Sequence, residues 1–302
     1  MCGFVGFATS KDINFQDWLK NASNSLYHRG PDSEGQWISP CKKYGVAHRR
    51  LSIVDLSNKA NQPFFEKHTG CVIVFNGEIY NFRKIRKNLI SKGYIFYSNS
   101  DTEVVLKAYL NWGKDCLSKF RGMFSFAIFD PRNKNFFLAR DPAGEKPLYF
   151  QLKNSTLIFA SELRALLELP FLDKKLNWSA LDNYLTLGFV PGENTLVKNI
   201  NKLPPAHAMS FSLNNNKIKI WKYWNLPPIK KNIKYLDNLS LLSELESLLD
   251  KSISKQILCD VDVGVLLSGG IDSSIITAIA SRHTKNLMTF TVGFKDNPKY
   301  DE

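Results

Sequence analysis

The sequence predicts two parts of different fold class: an antiparallel α+β domain built in layers, followed by the beginning of an α/β domain with a parallel sheet. Through residue 212, short β-branched and aromatic runs such as CVIVFNGEIY and MFSFAIFD alternate with turn residues and a few amphipathic helical patterns. This mixture is typical of sheets covered by helices. After residue 235 the order is helix, apolar strand, glycine loop, helix and apolar strand, which describes a βαβ unit.

Several elements of the first part can be predicted individually. A helix is expected over FQDWLKNASNSLYH, whose apolar residues fall on one face: Phe15, Trp18, Leu19, Ala22 and Leu26. A second helix is expected after Ser100, because Ser100 and Glu103 have the spacing of a capping box and Gly113 closes the pattern. The segment MFSFAIFDPRNKNFFLARD predicts a hairpin with Pro131 and Asn133 in its loop.

A change of composition indicates the domain boundary. The segment NLPPIKKNIKYLDN is rich in proline and lysine and separates the two patterns. We therefore predict a first domain over 1–212, a linker over 213–235 and the N-terminal part of a second domain over 236–302. Because one βαβ unit is too small to form a stable core, the second domain is expected to be truncated.

Length and composition indicate a globular protein of a reducing compartment. The chain has 302 residues, of which 44% are hydrophobic, and a formal net charge of +12. The basic residues are scattered, so the charge is interpreted as a lysine-rich surface, and neither nucleic acid nor membrane is expected as a partner. The cysteines include no C-x-x-C pair, so neither a disulfide framework nor a metal site is expected. The sequence contains neither a signal peptide nor an apolar run of about 18 residues, so a cytoplasmic location is expected.

The chemistry of the N-terminus centres on Cys2, which follows Met1 in MCGFVGFATS. Because cysteine is small, removal of Met1 by an aminopeptidase is expected, and Cys2 then has a free α-amine with a pKa of about 7.7–8.0. A thiol nucleophile needs an adjacent base, and its own amine can serve as that base. The alternative interpretation is a small core residue at the beginning of a strand.

Three further segments offer groups suited to acyl transfer from a free amino acid. Asn76 and Gly77 follow the apolar run CVIVF, and a side-chain amide with a glycine N–H can stabilise an oxyanion, although Asn-Gly is also a common tight turn. HRRLSIVD supplies arginines that can bind a carboxylate, and SDTE supplies a carboxylate that can bind an ammonium group. The alternatives for these two segments are a surface charge pair and the first turn of a helix.

In their order along the chain these motifs resemble those of class II glutamine amidotransferases: MCG, HRGPD at 28–32, HRRLSIVD at 48–55, NGEIYN at 76–81, SDTE at 100–103 and RGMFSFAIFD at 121–130. HRGPD resembles in particular the glutamine-hydrolysing asparagine synthetases, and ARDPAGEKPLYF and FASELRAL extend the resemblance over essentially the whole chain. The resemblance implies an N-terminal-nucleophile sandwich (αββα) of two sheets between helical layers. It also implies that the sandwich is followed by the start of an α/β domain, which has a parallel sheet and binds an adenine nucleotide.

The resemblance implies roles for individual residues. Cys2 would attack the side-chain amide of glutamine and release ammonia, while Asn76 and Gly77 would form the oxyanion hole. Asp101 would bind the amino group of glutamine. The other implied glutamine-binding residues are Arg50 for the carboxylate, Leu51, Ser52, Ile53 and Val54 along the pocket, and Glu78 beside the oxyanion hole. Arg29 belongs to the HRGPD loop near the nucleophile, without an assigned role.

The loop LLSGGIDSS at 266–274 predicts a second anion site. Glycines between a strand and a helix let backbone N–H groups approach an anion at the helix N-terminus, although they also permit tight packing alone. The P-loop pattern of kinases and GTPases is absent. The loop resembles the pyrophosphate loop of ATP-pyrophosphatase synthetase domains, so ATP and Mg²⁺ are the implied cofactors. The implied ATP-binding residues are Leu266, Ser268, Gly269, Gly270, Asp272, Ser273 and Val292.

The leading functional hypothesis is a glutamine-dependent asparagine synthetase that amidates ATP-activated aspartate and releases AMP and diphosphate. The implied partners are the small molecules glutamine, aspartate and ATP, and the resemblance allows a homodimer. Two alternatives remain open: an amidotransferase with another acceptor, such as a sugar or a different carboxylate, and a glutaminase-only or catalytically silent domain. In the family the acceptor-binding groups follow the segment that ends here at residue 302. If the protein ends there, glutamine hydrolysis without asparagine synthesis is expected.

Overall fold

The computed structural model describes residues 1–11, 14–228 and 237–293. The chain forms two compact units, Met1–Leu226 and Pro227–Glu302. Within the described residues, the first unit contains two six-stranded sheets and the second contains one two-stranded sheet.

The first unit consists of groups of consecutive strands separated by helices. Its helices are α1 (Gln16–Ser25), α2 (Phe82–Ile90), α3 (Asp101–Trp112), α4 (Leu163–Leu167) and α5 (Trp178–Leu187). Its strands are β1 (Gly3–Thr9), β2 (Ser33–Ile38), β3 (Tyr44–Arg50), β4 (Phe64–Phe65), β5 (Val72–Ile79), β6 (Gly122–Asp130), β7 (Asn135–Arg140), β8 (Tyr149–Lys153), β9 (Thr156–Ala160), β10 (Asn201–Lys202), β11 (His207–Ser212) and β12 (Ile218–Lys222).

Neighbouring strands in both sheets of the first unit are antiparallel. The strand order is β10-β8-β9-β1-β3-β2 in one sheet and β12-β11-β7-β6-β5-β4 in the other. β1 lies inside the first sheet, with Val5 opposite Ala47 of β3 and Ala160 of β9. In the second sheet, Asn76 of β5 lies opposite Ser125 of β6. The N-terminus of the chain therefore enters a central strand, where both neighbours fix its position.

Side-chain alternation gives each sheet one face toward the other sheet and one face toward helices. The core between the sheets includes Phe4, Val46, Val74, Ala127 and Leu138. The outer face of the first sheet packs with α1 and α4 through Val5, Phe7, Trp18, Leu19 and Leu166. The outer face of the second sheet packs with α2 and α3 through Ile73, Phe75, Leu89 and Val105. The layers are helix, sheet, sheet and helix, which confirms the α+β sandwich expected from the sequence.

The two helices and the hairpin predicted from local patterns are confirmed. Ser100 caps α3, because its Oγ accepts the N–H of Glu103 at 3.3 Å. The Glu103 carboxylate accepts the N–H of Ser98 at 2.8 Å. The return hydrogen bond of the capping box therefore comes from the loop before the helix, two residues ahead of Ser100. Gly113 ends the helix with φ of 57°, a left-handed conformation that glycine adopts without steric cost. β6 and β7 form the hairpin, joined by residues 131–134.

Asn76 and Gly77 lie within β5, and the tight turn considered for this dipeptide is wrong. β5 continues to Ile79 and pairs with β6 along this stretch. A Cβ at Gly77 would lie 2.2 Å from the carbonyl oxygen of Met123 on β6. The close approach of the neighbouring strand therefore requires glycine at this position.

The second unit contains α6 (Asn238–Gln256), β13 (Gly264–Leu266), α7 (Ile271–His283) and β14 (Met288–Phe290). β13 and β14 are parallel, which confirms the βαβ unit. Its small core includes Ile253, Ile279 and Ala280. A linker is predicted over 213–235. Within it, residues 218–222 form β12, and residues 229–235 lie outside the described residues. In the described part of the chain, no helix has both the length and the hydropathy to cross a membrane.

Candidate active site

Cys2 lies directly before β1, and the backbone that follows β3 contacts its thiol. The N–H of Leu51 donates to Sγ of Cys2 at 3.4 Å, and Sγ lies 3.5 Å from the carbonyl oxygen of Leu51. β1 pairs with β3, which ends at Arg50, so this pairing brings the two segments together. Burial raises the pKa of the Cys2 thiol and outweighs the Leu51 hydrogen bond and the N-terminal ammonium, both of which lower it.

Cys2 lines a small cleft of about 40 Å³ that is partly open to solvent. Nine of the residues expected at the glutaminase site line this cleft: Cys2, Arg50, Leu51, Ile53, Val54, Asn76, Gly77, Glu78 and Asp101. Ser52 is not among the lining residues. Its N–H donates to Oδ2 of Asp32 at 2.7 Å, which attaches the loop after β3 to the HRGPD segment.

The carboxamide of Asn76 is buried without a partner. Asn76 is 0% exposed, and neither its Nδ2 nor its Oδ1 has a hydrogen-bond partner among the described residues. An unpaired buried polar group costs about 1–3 kcal/mol, and such groups in native proteins call for an explanation. Because this carboxamide lines a cleft, a ligand can supply the missing hydrogen bonds.

Asp101 begins α3 and brings a buried carboxylate to the cleft. The N–H of Ile79 donates to its Oδ2 at 3.0 Å. Burial, with a contribution from the charge of Glu78, raises the pKa of Asp101 to about 7. Burial also raises the pKa of Glu78. Both carboxylates are thus costly to ionise in this buried position, and a bound cation would lower that cost.

Arg50 already uses its terminal nitrogens on the loop that follows it. Nη1 donates to the carbonyl oxygen of Ser57 at 3.0 Å and to Oδ1 of Asn61 at 2.8 Å. Nη2 donates to the carbonyl oxygens of Val54, at 3.4 Å, and Asp55. The open bidentate clamp that the sequence suggests is therefore not preformed, and a ligand carboxylate has to share or displace these contacts.

Arg29 holds the backbone of Cys2. Its Nε donates to the carbonyl oxygen of Cys2 at 2.9 Å, and its Nη1 pairs with Oε1 of Glu162 at 2.7 Å. Nε2 of His28 lies 3.0 Å from the same Glu162 oxygen. These contacts tie the HRGPD segment to the residue before β1 and give a structural place to the arginine whose role the sequence left unassigned.

Sequence reasoning missed Gln62 and His48, which hold the backbone beneath the cleft. The Gln62 Oε1 accepts the N–H of Phe75 at 2.7 Å, and its Nε2 donates to the carbonyl oxygen of Phe75 at 3.2 Å. Nε2 of His48 lies 3.0 Å from the same carbonyl oxygen. Burial lowers the pKa of His48 to about 4, so the ring is neutral and Nε2 donates. Phe75 precedes Asn76, so both side chains fix the peptide that presents the carboxamide. His48 lies within HRRLSIVD, whereas the sequence around Gln62 carries no recognisable signal.

In the second unit, the expected ATP-binding residues gather at the carboxyl ends of the parallel strands. Leu266 ends β13, and Val292 follows β14. Between them, Oγ of Ser268 and Oγ of Ser273 lie 3.3 Å apart, and Gly269 has φ of 88°. The loop also contains Gly270 and Asp272. No side chain caps the N-terminus of α7, so its first N–H groups fit a phosphate. The described residues include no group of three or more His, Cys, Asp or Glu that could hold a metal ion.

Comparison with known proteins assigns the two units of the chain to two different families. Residues 1–224 match the family described as glutamine amidotransferase domain, and residues 244–302 match the asparagine synthase family. The chain is 33% identical over 311 residues to asparagine synthetase (glutamine-hydrolyzing) 3 of Bacillus subtilis, which covers 99% of this chain and 49% of the relative. It is 35% identical over 324 residues to a putative asparagine synthetase (glutamine-hydrolyzing) 2 of Methanocaldococcus jannaschii, covering 100% of this chain and 61% of the relative. The chain thus spans roughly half of the length of these curated relatives.

A solved structure shares the fold. The glutamine phosphoribosylpyrophosphate amidotransferase of B. subtilis, complexed with ADP and GMP, matches with a TM-score of 0.53 and 17% identity, covering 98% of this chain and 67% of the other. The two antiparallel sheets between helical layers therefore form the α+β (αββα) sandwich that the sequence predicts. Because the family match includes most of the chain, from residue 1 through β12, the chain belongs to the class II glutamine amidotransferase domain family, with part of an asparagine synthase domain after it.

Proposed function

We propose that this chain is the glutamine-hydrolysing part of a glutamine-dependent asparagine synthetase, with Cys2 as the nucleophile. The observation that carries the proposal is the buried, unpaired carboxamide of Asn76 in the same cleft as Cys2 and Asp101. A nucleophile, an unsatisfied donor for an oxyanion and a carboxylate for an ammonium group are what the hydrolysis of free glutamine requires. The names of the relatives support the same reaction.

Removal of Met1 would free the α-amine of Cys2. Burial lowers the pKa of the present N-terminal amine, and the charges of Arg29 and Lys146 lower it further. An amine on Cys2 would lie beside the same cationic groups, so its pKa would be lowered in the same direction and its neutral form, which accepts a proton, would be favoured. The amine would take the thiol proton as Sγ attacks the substrate, so the thiolate need not form beforehand against the raised thiol pKa.

The chemistry then proceeds in two steps. Sγ of Cys2 attacks Cδ of glutamine, and the negative charge that develops on the amide oxygen is met by Nδ2 of Asn76 and the N–H of Gly77. The amine passes its proton to the leaving nitrogen, ammonia departs and a thioester remains. A water molecule, deprotonated by the same amine, attacks the thioester, which releases glutamate and restores the thiol.

The charged ends of glutamine orient it in the cleft. Asp101 pairs with its ammonium group, and Glu78 adds negative charge beside it. The carboxylate binds at Arg50, which exchanges part of its contacts with the following loop. The expected subsite is completed by the segment that contains Leu51, Ser52, Ile53 and Val54.

For the second unit we infer ATP binding at the loop between β13 and α7. Ser268, Ser273 and the N–H groups at Gly269 and Gly270 would hold phosphate oxygens, and Asp272 lies in the first turn of α7. Leu266 and Val292 would flank the adenosine. Mg²⁺ would neutralise phosphate charge when bound. Ammonia would then amidate aspartate activated as an adenylate, giving asparagine, AMP and diphosphate.

Glutamate release tests the first unit. The chain supplied with glutamine should produce glutamate and ammonia, and Cys2→Ala should abolish both. Cys41→Ala is the matched control, because Cys41 is exposed and does not line the cleft, and it should keep full activity. Equal rates for the chain and Cys2→Ala, or a mature protein that retains Met1 by mass spectrometry, would refute the mechanism.

Product analysis tests the acceptor. With glutamine, ATP, Mg²⁺ and aspartate, a version of the protein that carries a complete synthetase domain should form asparagine and diphosphate in equal amounts. If that version hydrolyses glutamine but forms no asparagine, the synthetase proposal is wrong, and amidation of another carboxylate or of a sugar would replace aspartate as the acceptor.

A further inference from the structure

A second cavity in the first unit adjoins β4 and α3. It has a volume of about 400 Å³ and is partly open to solvent. None of its lining residues lines the cleft beside Cys2. Its size is within the range of small-molecule sites, and nothing in the proposed glutaminase reaction uses it.

The cavity carries an excess of positive charge. Lys59, Lys67 and Lys107 line it together with one carboxylate, Glu66. Oε1 of Glu66 lies 3.1 Å from Nζ of Lys107 in a buried pair. Oε2 of Glu66 accepts both the N–H and the hydroxyl of Thr69 at 2.7 Å. Burial favours protonation of Glu66, but these contacts outweigh it and lower its pKa to about 2, so the carboxylate is charged and fully paired.

Within the part of the chain that the structure describes, the two remaining lysines form no salt bridge. Lys59 and Lys67 are exposed. Among the described residues, neither has a carboxylate within salt-bridge distance. Because Glu66 compensates Lys107 alone, the cavity offers two positive charges to a ligand.

Two large aromatic rings at the cavity are exposed. Phe65 is 47% exposed. Tyr97 is 57% exposed, and its ring centroid lies 6.0 Å from Nζ of Lys107. Exposed aromatic rings beside a cavity are more informative than buried ones, because their faces are available to a planar ligand.

We propose that this cavity is a binding site for a small aromatic anion. The ring of the ligand stacks on Phe65 and Tyr97, and its anionic group pairs with Lys59 and Lys67. The buried Glu66–Lys107 pair forms the polar base of the cavity and holds the β4 end of the site against α3. A purely apolar ligand would leave the lysine charges unused, and a simple inorganic anion would leave both rings exposed.

Three probes separate the ring from the charge: indole-3-acetate, indole and acetate. Binding is measured by ligand-observed NMR titration of the whole chain, so the result does not depend on glutaminase activity. Indole-3-acetate should bind saturably and more tightly than either indole or acetate. Phe65→Ala should weaken its binding about fivefold or more, which corresponds to the loss of one stacking contact. The double variant Lys59→Gln/Lys67→Gln should weaken indole-3-acetate to the level of indole.

Matched controls lie in a different cavity of the same unit. Phe171→Ala and Lys153→Gln remove an exposed aromatic ring and an exposed lysine there, and they should leave indole-3-acetate binding unchanged. Unfolding midpoints verify that all variants fold. Absence of saturable binding, equal affinity of the chain and its cavity variants, or equal affinity for indole-3-acetate and acetate would overturn the proposal.

Discussion

Replacing Asp101 with asparagine should stabilise the protein while impairing glutamine binding. Burial raises the pKa of this carboxyl from 3.8 to about 7. Since one pKa unit corresponds to about 1.36 kcal/mol, keeping Asp101 ionised in the folded protein costs about 4 kcal/mol. Asparagine keeps an oxygen that can accept the N–H of Ile79 and removes the charge, so it should recover most of this cost.

The pH dependence of this stabilisation has a definite sign. Because the pKa of Asp101 is higher in the folded state, the folded protein holds a proton that the unfolded chain releases between about pH 4 and pH 7. The stability that the protonated carboxyl contributes is complete below pH 3.8 and is lost as pH rises to about 7. The difference between Asp101→Asn and the unchanged chain should therefore be near zero at the acid end and largest above neutrality.

Urea unfolding at a series of pH values measures this difference. Asp115→Asn is the matched control, since Asp115 is exposed, and it should shift the free energy of unfolding little at any pH. A stability difference for Asp101→Asn that does not change with pH, or a loss of stability above neutrality, would refute the reasoning. The activity assay gives the second half of the prediction: KM for glutamine should rise at least about 30-fold, the equivalent of about 2 kcal/mol for a lost buried charge pair.

Substitutions at three further positions test the parts of the cleft. Asn76→Ala should lower kcat about 10²–10³-fold without loss of stability in urea unfolding, because removing the unpaired carboxamide also removes the cost of burying it, which offsets the lost packing. Gly77→Ala should destabilise the protein by about 2 kcal/mol or more in the same unfolding assay, since its Cβ would collide with the carbonyl oxygen of Met123. Arg29→Met should lower kcat by about tenfold or more, because Cys2 would be misplaced. Arg29→Lys should be impaired as well, because one ammonium group cannot reproduce contacts made by two guanidinium nitrogens. Full activity of the lysine variant in the glutaminase assay would contradict this.

Local signals predicted the elements that depend on neighbouring residues. The caps of α3 and the hairpin of β6 and β7 follow from side chains within one turn or one loop, and both are present. The placement of Asn76 and Gly77 in a strand does not follow from local side chains. This dipeptide favours turns, and it is extended here because β6 pairs with it. Tertiary pairing overrode the local preference at this position.

Gln62 and His48, which hold the backbone of Phe75, could not be predicted from the sequence for a related reason. Gln62 and Phe75 are 13 positions apart, and His48 and Phe75 are 27 apart, so no local pattern links them. Residue type pointed to the two arginines of HRRLSIVD and the family resemblance to Arg50, but neither could reveal that its terminal nitrogens are committed to the following loop. Residue types suited to the chemistry are readable from the chain, whereas their hydrogen-bond partners are decided by the packing of the sheets.

The electrostatics of the cleft link substrate binding to activation of the nucleophile. The charge of Asp101 raises the pKa of the Cys2 thiol, in addition to the larger effect of burial. A glutamine ammonium group paired with Asp101 would cancel that charge, so binding of the correct substrate would lower the thiol pKa and favour the thiolate where the amide is positioned for attack. Free Cys2 would remain protonated and unreactive in the empty cleft, which protects it from oxidation and alkylation. The Asp101→Asn variant mimics the neutralised carboxylate without substrate, so its Cys2 should react with iodoacetamide at lower pH than in the unchanged chain; an identical pH profile for the two proteins would separate substrate binding from thiol activation.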